Sequence, residues 1–399
     1  MLSPRDSYSL NMEANLFHSF FLIFTGAALI ASLALYSRQP LLVAYILLGI
    51  LLGPHVLGWV DNVPMLTEIS RIGIIFLLFL LGLDMQPKSL MSVLREATFV
   101  GLISSAIFAI SGYGLGRIFG FSHTDCLVIG MALMFSSTII GIKLLPTTVL
   151  HHRHTGELMV GLLLFQDFLA IVCLLVLLSG DLGTVDVKKL GFAFLQLPLV
   201  AGFAFLFVRY VLLKLILKFD RIHEYVFLVA LGWCLGLAQL THTIGLSAEI
   251  GAFLAGITLA TSPIAQYIAL SLKPLRDFFL ILFFFSLGAS MNMDLVGEVL
   301  LAGVVIASVV ILGKPAVFRV LLSKQSEKKL MSWNVGFRLG QISEFSLLIA
   351  LIALNGSLIS ERASTLIQVT AILTFLVSSY IVVLYLPTPI AVKDELRRD

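Results

Sequence analysis

The chain has 399 residues, 59% of them hydrophobic and 12% charged, with a mean hydropathy of +1.04. Soluble globular chains carry about 25% charged residues; half that share, with apolar runs throughout, excludes a water-soluble fold and places the chain in lipid. The formal net charge of +3 is too small to point to nucleic acid.

A helix needs about 20 apolar residues to cross the hydrocarbon core, which predicts an all-α polytopic membrane protein with about thirteen spans. In chain order they fall near 15–36, 41–58, 66–84, 96–119, 124–145, 157–180, 190–218, 223–241, 246–261, 268–290, 296–322, 329–354 and 362–387. The spans 41–58 and 246–261 are short. The stretch before the first span has no basic region leading into a short apolar core, so no cleavable signal peptide is expected. Connections are brief and carry breakers such as Arg38-Gln39-Pro40 and Asn355-Gly356. Cys126, Cys173 and Cys234 lie inside apolar runs, fit no metal-ligand spacing and read as packed thiols. With the N-terminus outside, seventeen lysines and arginines fall in cytoplasmic segments and five in outer ones. That bias predicts N-terminus out, C-terminus in, and an odd number of spans.

The two halves resemble one another at an offset near 206. Leu78 to Met85 in the third span lies over Phe284 to Met291 in the tenth; Gly49-Ile50 matches Gly256-Ile257; Gly130, Leu133 and Ser137 fall on Gly336, Leu339 and Ser343. Partner spans are seven helices apart, an odd number, so they cross in opposite senses: an inverted-topology repeat, an architecture that recurs in secondary transporters. Such transporters build their sites where helices break near the midplane. Phe135-Ser136-Ser137-Thr138 in the fifth span and Gly340-Gln341-Ile342-Ser343-Glu344 in the twelfth occupy matching places, and their polar side chains can satisfy freed backbone groups. Simple back-bonding of Ser and Thr within unbroken helices is the other reading.

A charge within the bilayer is costly and marks a functional site by default. Asp167 is the deepest acid, ten residues into its span, or about 15 Å along the helix axis. Low dielectric disfavours a bare carboxylate. Such a group holds a proton near neutral pH and gives it up when a cation arrives, the minimum machinery for exchange. Gln166 beside it offers a neutral oxygen for ion coordination. Lys314, in mid-span where it cannot snorkel, is expected near Asp167 as a counter-charge; bonding to the exposed carbonyls of a broken helix is an equal alternative. Glu344 and Arg338 share the twelfth span. Glu344 lines the pathway or holds Lys143, which can also reach the cytoplasmic interface. Glu249 and Asp84, at a span start and end, and Arg71 read as helix-end or structural charges. His151-His152-Arg153-His154 reads as a solvated loop, and Gly112, Gly114 and Gly116 as close helix packing.

Phe165-Gln166-Asp167, Phe135-Ser136-Ser137-Thr138, Gly49 to Pro54 (GILLGP), Ser247 to Gly256 (SAEIGAFLAG) and Lys314 together resemble the cation:proton antiporter-2 superfamily, and within it the Kef-type potassium/proton antiporters. The resemblance covers nearly the whole chain. It implies a homodimer with the sodium/proton antiporter-like fold: dimerisation-panel helices in 1–95 and 223–290, core helices in 96–180 and 296–387, a linker helix at 190–218 and a short cytoplasmic tail at 388–399. It gives Asp167 the role of the ion-and-proton carboxylate, with Gln166, Ser136, Ser137 and Thr138 around it and Lys314 facing the site. Glu344, Lys143, Arg338, Ser343 and Glu249 are the further candidates. Relatives with two adjacent Asp run electrogenic sodium exchange; the Gln166-Asp167 pair looks like the electroneutral, potassium-type pattern. Kef systems usually carry a cytoplasmic nucleotide-binding domain after the membrane part. This sequence runs only about a dozen residues beyond its last span, so such regulation would come from a separate subunit.

The expected function is exchange of K⁺, or less readily Na⁺, for protons in the cell membrane, without cofactor, resident metal or enzymatic chemistry. The alternatives are a cation channel, which would want a carbonyl filter or continuous polar lining, and an organic-anion carrier using Lys143 and Arg338.

Overall fold

The structure, a computed structural model, describes residues 4–37, 39–60, 63–84, 87–138, 141, 154–178, 187–219, 222–244, 246, 248–260, 262, 264–325 and 327–388. Its described elements are helices in the order α1 Pro4–Tyr36, α2 Leu41–Leu52, α3 Val63–Asp84, α4 Pro87–Ile118, α5 His123–Leu133, α6 His154–Leu178, α7 Val187–Phe207, α8 Leu213–Lys218, α9 His223–Thr243, α10 Ala248–Ala260, α11 Ala265–Ala289, α12 Met293–Lys324, α13 Lys329–Arg338, α14 Glu344–Asn355 and α15 Glu361–Tyr385. Six helical stretches among the described residues are long and apolar enough to cross a membrane, and shorter apolar helices accompany them. Large apolar side chains such as Leu33, Ile110, Leu301 and Leu312 stand exposed on their outer faces, as lipid contact requires. The span expected at 190–218 is not a plain α-helix: α7 passes through Pro198 and widens into a π turn at Val208–Leu212 before α8. Proline removes one intrahelical hydrogen bond and the π turn inserts an extra residue, features that hydropathy does not register.

The chain divides into two compact units, residues 1–84 with 200–293 and residues 85–199 with 294–399. In the first, α2 packs on α11 and α3 on α10 and α11. The contacts are backbone against backbone. A Cβ on Gly49 would overlap the Phe285 carbonyl, and one on Gly288 the Ile46 carbonyl; a Cβ on Gly256 would overlap the Phe79 carbonyl, and one on Gly82 the Phe253 carbonyl. Adding 206 or 207 converts each of these contacts into another, since Phe79 becomes Phe285, Gly82 becomes Gly288, Ile46 becomes Phe253 and Gly49 becomes Gly256. The internal repeat is therefore written in the packing of this unit. Small residues carry it because apolar lipid gives helices little reason to associate except close contact.

The second unit repeats in the same way. α4 and α12 are both 32 residues long and start 206 apart, and α6 and α15 are both 25 residues long and start 207 apart. Helix α5 starts 206 residues before α13. Gly130 of α5 packs on the Ala109 carbonyl of α4, and its counterpart Gly336 of α13 packs on Pro315 of α12, the counterpart of Ala109. Gly112 meets Gly130 and Gly116 meets Cys126, whereas Gly114 faces open space; two of the three glycines thus serve close packing. An apolar cluster of Ala97, Val100, Leu158, Leu162, Phe318, Leu322, Val335 and Leu339 joins α4, α6, α12 and α13. Asp125 fastens one end of the unit. It forms a capping box with Ser122 at the start of α5, and its Oδ1 accepts from the N–H (2.8 Å) and hydroxyl (3.2 Å) of Ser360, the N-cap of α15.

Candidate functional site

Both expected helix breaks are present, at residues 134–137 and 339–343. Thr138 and Glu344 are already helical, so each break ends one residue earlier than the sequence suggests. The breaks cross in opposite senses. Ser136 Oγ, in the first, donates to the Leu339 carbonyl at 2.9 Å, and Ser346 Oγ, beyond the second, donates to the Ala132 carbonyl before the first. Breaking a helix within lipid is tolerable only if the freed backbone groups find partners, and here they do. Gln341 Nε2 donates to the Arg338 carbonyl at 3.0 Å, and Ser378 Oγ of α15 holds Gln341 Oε1 at 2.7 Å. Thr374 Oγ1 accepts the Ile342 N–H at 3.4 Å. Ser343 caps α14, its Oγ accepting from the Phe345 N–H at 3.1 Å and its own N–H donating to Ser346 Oγ.

Lys314 ties the two breaks together. Its Nζ donates to the Phe135 carbonyl, to Ser136 Oγ at 3.1 Å and to the Gln341 carbonyl at 2.9 Å. An ammonium has three N–H donors, and all three are spent on oxygens of the two breaks. The side chain is fully buried, and Nζ also lies 5.6 Å from the ring centre of Phe108, its own counterpart in the first repeat. Of the two arrangements open to Lys314 from the sequence, the structure has the carbonyl-bound one.

Asp167 sits near the middle of α6 and is fully buried. Among the described residues its hydrogen-bond donor is Thr138 alone, whose Oγ1 lies 3.0 Å from Oδ2 and 3.3 Å from Oδ1. Gln166, also fully buried, turns its Oε1 to the Ser136 N–H at 3.0 Å, so the oxygen expected to meet an ion braces the break instead. Its Nε2 has no protein partner among the described residues. Phe165 packs its ring onto Gly101 of α4, which sets the rotation of α6 and aims Gln166 and Asp167 at the crossing. Ser136 and Ser137 are fully buried there. Glu344 opens α14, is 6% exposed, and lies within electrostatic reach of Asp167.

Other candidates stand apart. Arg338, the last residue of α13, is 4% exposed and donates to the Pro387 carbonyl beyond α15, so it anchors the end of the bundle. Glu249 falls on α10, in the other unit, and its side chain lies outside the described residues. Lys143 and His151 to Arg153 also lie outside them. Sequence reasoning missed Thr374, Ser378 and Ser346, each a hydroxyl on an apolar helix; the repeat offset carried to the last helix would have found Thr374.

A bundle in which two discontinuous helices cross at their breaks, beside a buried carboxylate with no ion-pair partner among the described residues, is the inverted-repeat architecture of secondary transporters. The chain belongs to the sodium/hydrogen exchanger, transmembrane, family, whose sequence profile matches residues 20–387. Among curated proteins it is 29% identical over 350 residues to K(+) efflux antiporter 5 of Arabidopsis thaliana, covering 84% of this chain and 60% of that one. It is 28% identical over 346 residues to the iron transporter MagA of Paramagnetospirillum magneticum, covering 86% and 79%. K(+) efflux antiporter 4 of Arabidopsis thaliana is 28% identical over 389 residues, 94% of this chain and 64% of that one. The chain thus spans less than two thirds of the length of either plant relative. Its fold is that of the sodium proton antiporter MjNhaP1 from Methanocaldococcus jannaschii, with a TM-score of 0.71 at 18% identity, covering 92% of this chain and 96% of that one.

Proposed function

We propose that this protein exchanges a monovalent cation for protons across a membrane, by alternating access, with the Asp167 carboxylate as the shared seat. One observation carries the reading: Asp167 is fully buried and its partner is a neutral hydroxyl. A bare carboxylate in that position costs many kcal/mol, so it is held either by a proton or by a cation. Lys314 makes no ion pair with it, because its N–H donors go to the neutral oxygens of the two helix breaks. Proton and cation therefore exclude each other at one group, and a carrier that moves only when that group is neutralised exchanges them.

The names of the plant relatives favour K⁺ over Na⁺ as cargo, as does the Gln166-Asp167 sequence. One proton leaves Asp167 for each cation that enters, which makes the exchange electroneutral. A homodimer in the cell membrane, with its N-terminus outside and C-terminus in the cytoplasm, follows from the basic-residue bias and the family resemblance.

Reconstitution into proteoliposomes under an imposed pH gradient tests the reading. The expected result is proton movement driven by K⁺ or Na⁺, without current, that vanishes in Asp167→Asn. Conductive cation flow with no proton counter-movement would favour a channel. Exchange that persists in Asp167→Asn would reject the site.

A further inference from the structure

The repeat sets a second acid in the place that mirrors the first site. Residues after the first break map to those after the second at an offset of 206, so Thr138 corresponds to Glu344. Helices α6 and α15, equal in length, map at 207, so Asp167 corresponds to Thr374. Each half thus contributes one acid and one hydroxyl, with their positions exchanged: acid on the long helix and hydroxyl after the break in the first, hydroxyl on the long helix and acid after the break in the second. The first pair is joined by the hydrogen bonds from Thr138 to Asp167. In the second, Thr374 Oγ1 accepts from the Ile342 N–H at 3.4 Å, two residues before Glu344, and donates to the Ala371 carbonyl of its own helix at 3.0 Å. Glu344 is buried, the other buried acid at the crossing among the described residues is Asp167, and the two lie within electrostatic reach of one another. Beside them the buried Gln166 Nε2, lacking a protein partner among the described residues, can bind a water of the cation's shell.

We propose that Glu344 is a second carboxylate ligand of the transported cation, reached from the second repeat as Asp167 is reached from the first, with Thr374 as its positioning hydroxyl. Its charge persists through the cycle. The N-terminus of α14 favours a negative group at its first residue. No ionisable side chain that faces the crossing from the described part of α5 or from α15 competes for it. The proton-to-cation ratio is therefore still set by Asp167, while affinity depends on both acids. A cation held by two opposed carboxylates is stripped of water more completely than one held by a single acid, so the second carboxylate raises affinity for a monovalent cation without changing how many charges cross.

This inference rests on the reading of Asp167 given above, and the test separates the two. Exchange is measured in proteoliposomes as a function of K⁺ and of Na⁺, together with cation-dependent thermal stabilisation of the purified protein. Glu344→Gln is expected to raise the apparent KM by about tenfold or more, the loss typical of one charged ligand, with a smaller effect on the maximal rate and no appearance of transport current. Glu344→Asp should lie between Glu344→Gln and the wild type, and Thr374→Val should raise KM less than either, with Thr374→Ser near normal. A wild-type KM and wild-type cation stabilisation in Glu344→Gln overturn the proposal, as does a loss confined to the maximal rate. Should Glu344→Gln not fold, Glu344→Asp carries the test, and an unchanged KM there overturns it equally. A transport current that disappears only in Glu344→Gln would show that Glu344 carries a second proton, which also contradicts it. Loss of exchange in Asp167→Asn alongside an unaltered Glu344→Gln would sink this inference alone; an unaltered Asp167→Asn would sink the parent reading.

Discussion

Replacing Lys314 with methionine separates two roles that a buried lysine can play. Methionine nearly matches the aliphatic length and has no donor. The substitution strips partners from the Phe135 and Gln341 carbonyls, which belong to different breaks, and from Ser136 Oγ, which keeps its bond to Leu339. A buried acceptor left without a donor costs about 1–3 kcal/mol, so the two carbonyls together cost roughly 2–6 kcal/mol. No counter-ion is stranded, because the three acceptors are uncharged. At about 2 °C per kcal/mol, a value for large domains, the melting temperature in detergent should fall by roughly 4–12 °C. Lys314→Gln, whose amide keeps two N–H donors, should recover part of the loss. The assay is thermal unfolding followed by intrinsic fluorescence in a cation-free buffer, which removes any contribution from ion binding. A Lys314→Met protein that melts with the wild type, yet no longer exchanges ions, would refute the reasoning; Nζ would then serve the ion or Asp167 rather than the breaks.

Thr138→Val removes the hydroxyl that holds the Asp167 carboxylate, and a hydrogen bond to a charged acceptor is worth about 1.5–3 kcal/mol. Apparent cation affinity, read from the concentration dependence of exchange, should fall by about ten- to a hundredfold, with Thr138→Ser close to normal; equal affinity in Thr138→Val would contradict the site. Gly256→Ala and Gly49→Ala drive a methyl into the Phe79 and Phe285 carbonyls, so each should lower the melting temperature by the equivalent of about 3 kcal/mol or more. Gly114→Ala, which meets open space, should leave it unchanged. Asp125→Ala uncouples the starts of α5 and α15; losing capping at two helices costs about 1 kcal/mol each, and hydrogen exchange should rise at the first turns of both.

Much of this architecture is legible in the sequence because lipid imposes simple rules. Apolar length marks the helices, and polar residues inside them mark where helicity fails: Phe135 to Thr138 and Gly340 to Glu344 stand out for that reason, and the repeat relates them. Asp167 is visible because an acid in mid-span needs a function. What stayed hidden depends on distance rather than composition. Lys314 could reach a carboxylate or a carbonyl from the same helical position, and only the crossing of the two breaks decides between them. Gln166 looked like an ion ligand, but its oxygen is claimed by the nearer Ser136 N–H. Thr374, Ser378 and Ser346 read as ordinary hydroxyls that bond back to their own helices; their service to the opposite segment emerges when the backbone breaks. The π turn after α7 leaves no mark in hydropathy at all.

Proton release on cation binding tests most directly whether H⁺ and a metal ion compete for Asp167. Purified protein in weak buffer, at a pH where the unloaded site holds its proton, is titrated with K⁺ and with Na⁺ while a dye reports the free proton. Release of a proton for each cation bound by the wild type, with neither binding nor release in Asp167→Asn, is the predicted result. Cation binding with no proton released, or release undiminished in Asp167→Asn, would contradict it.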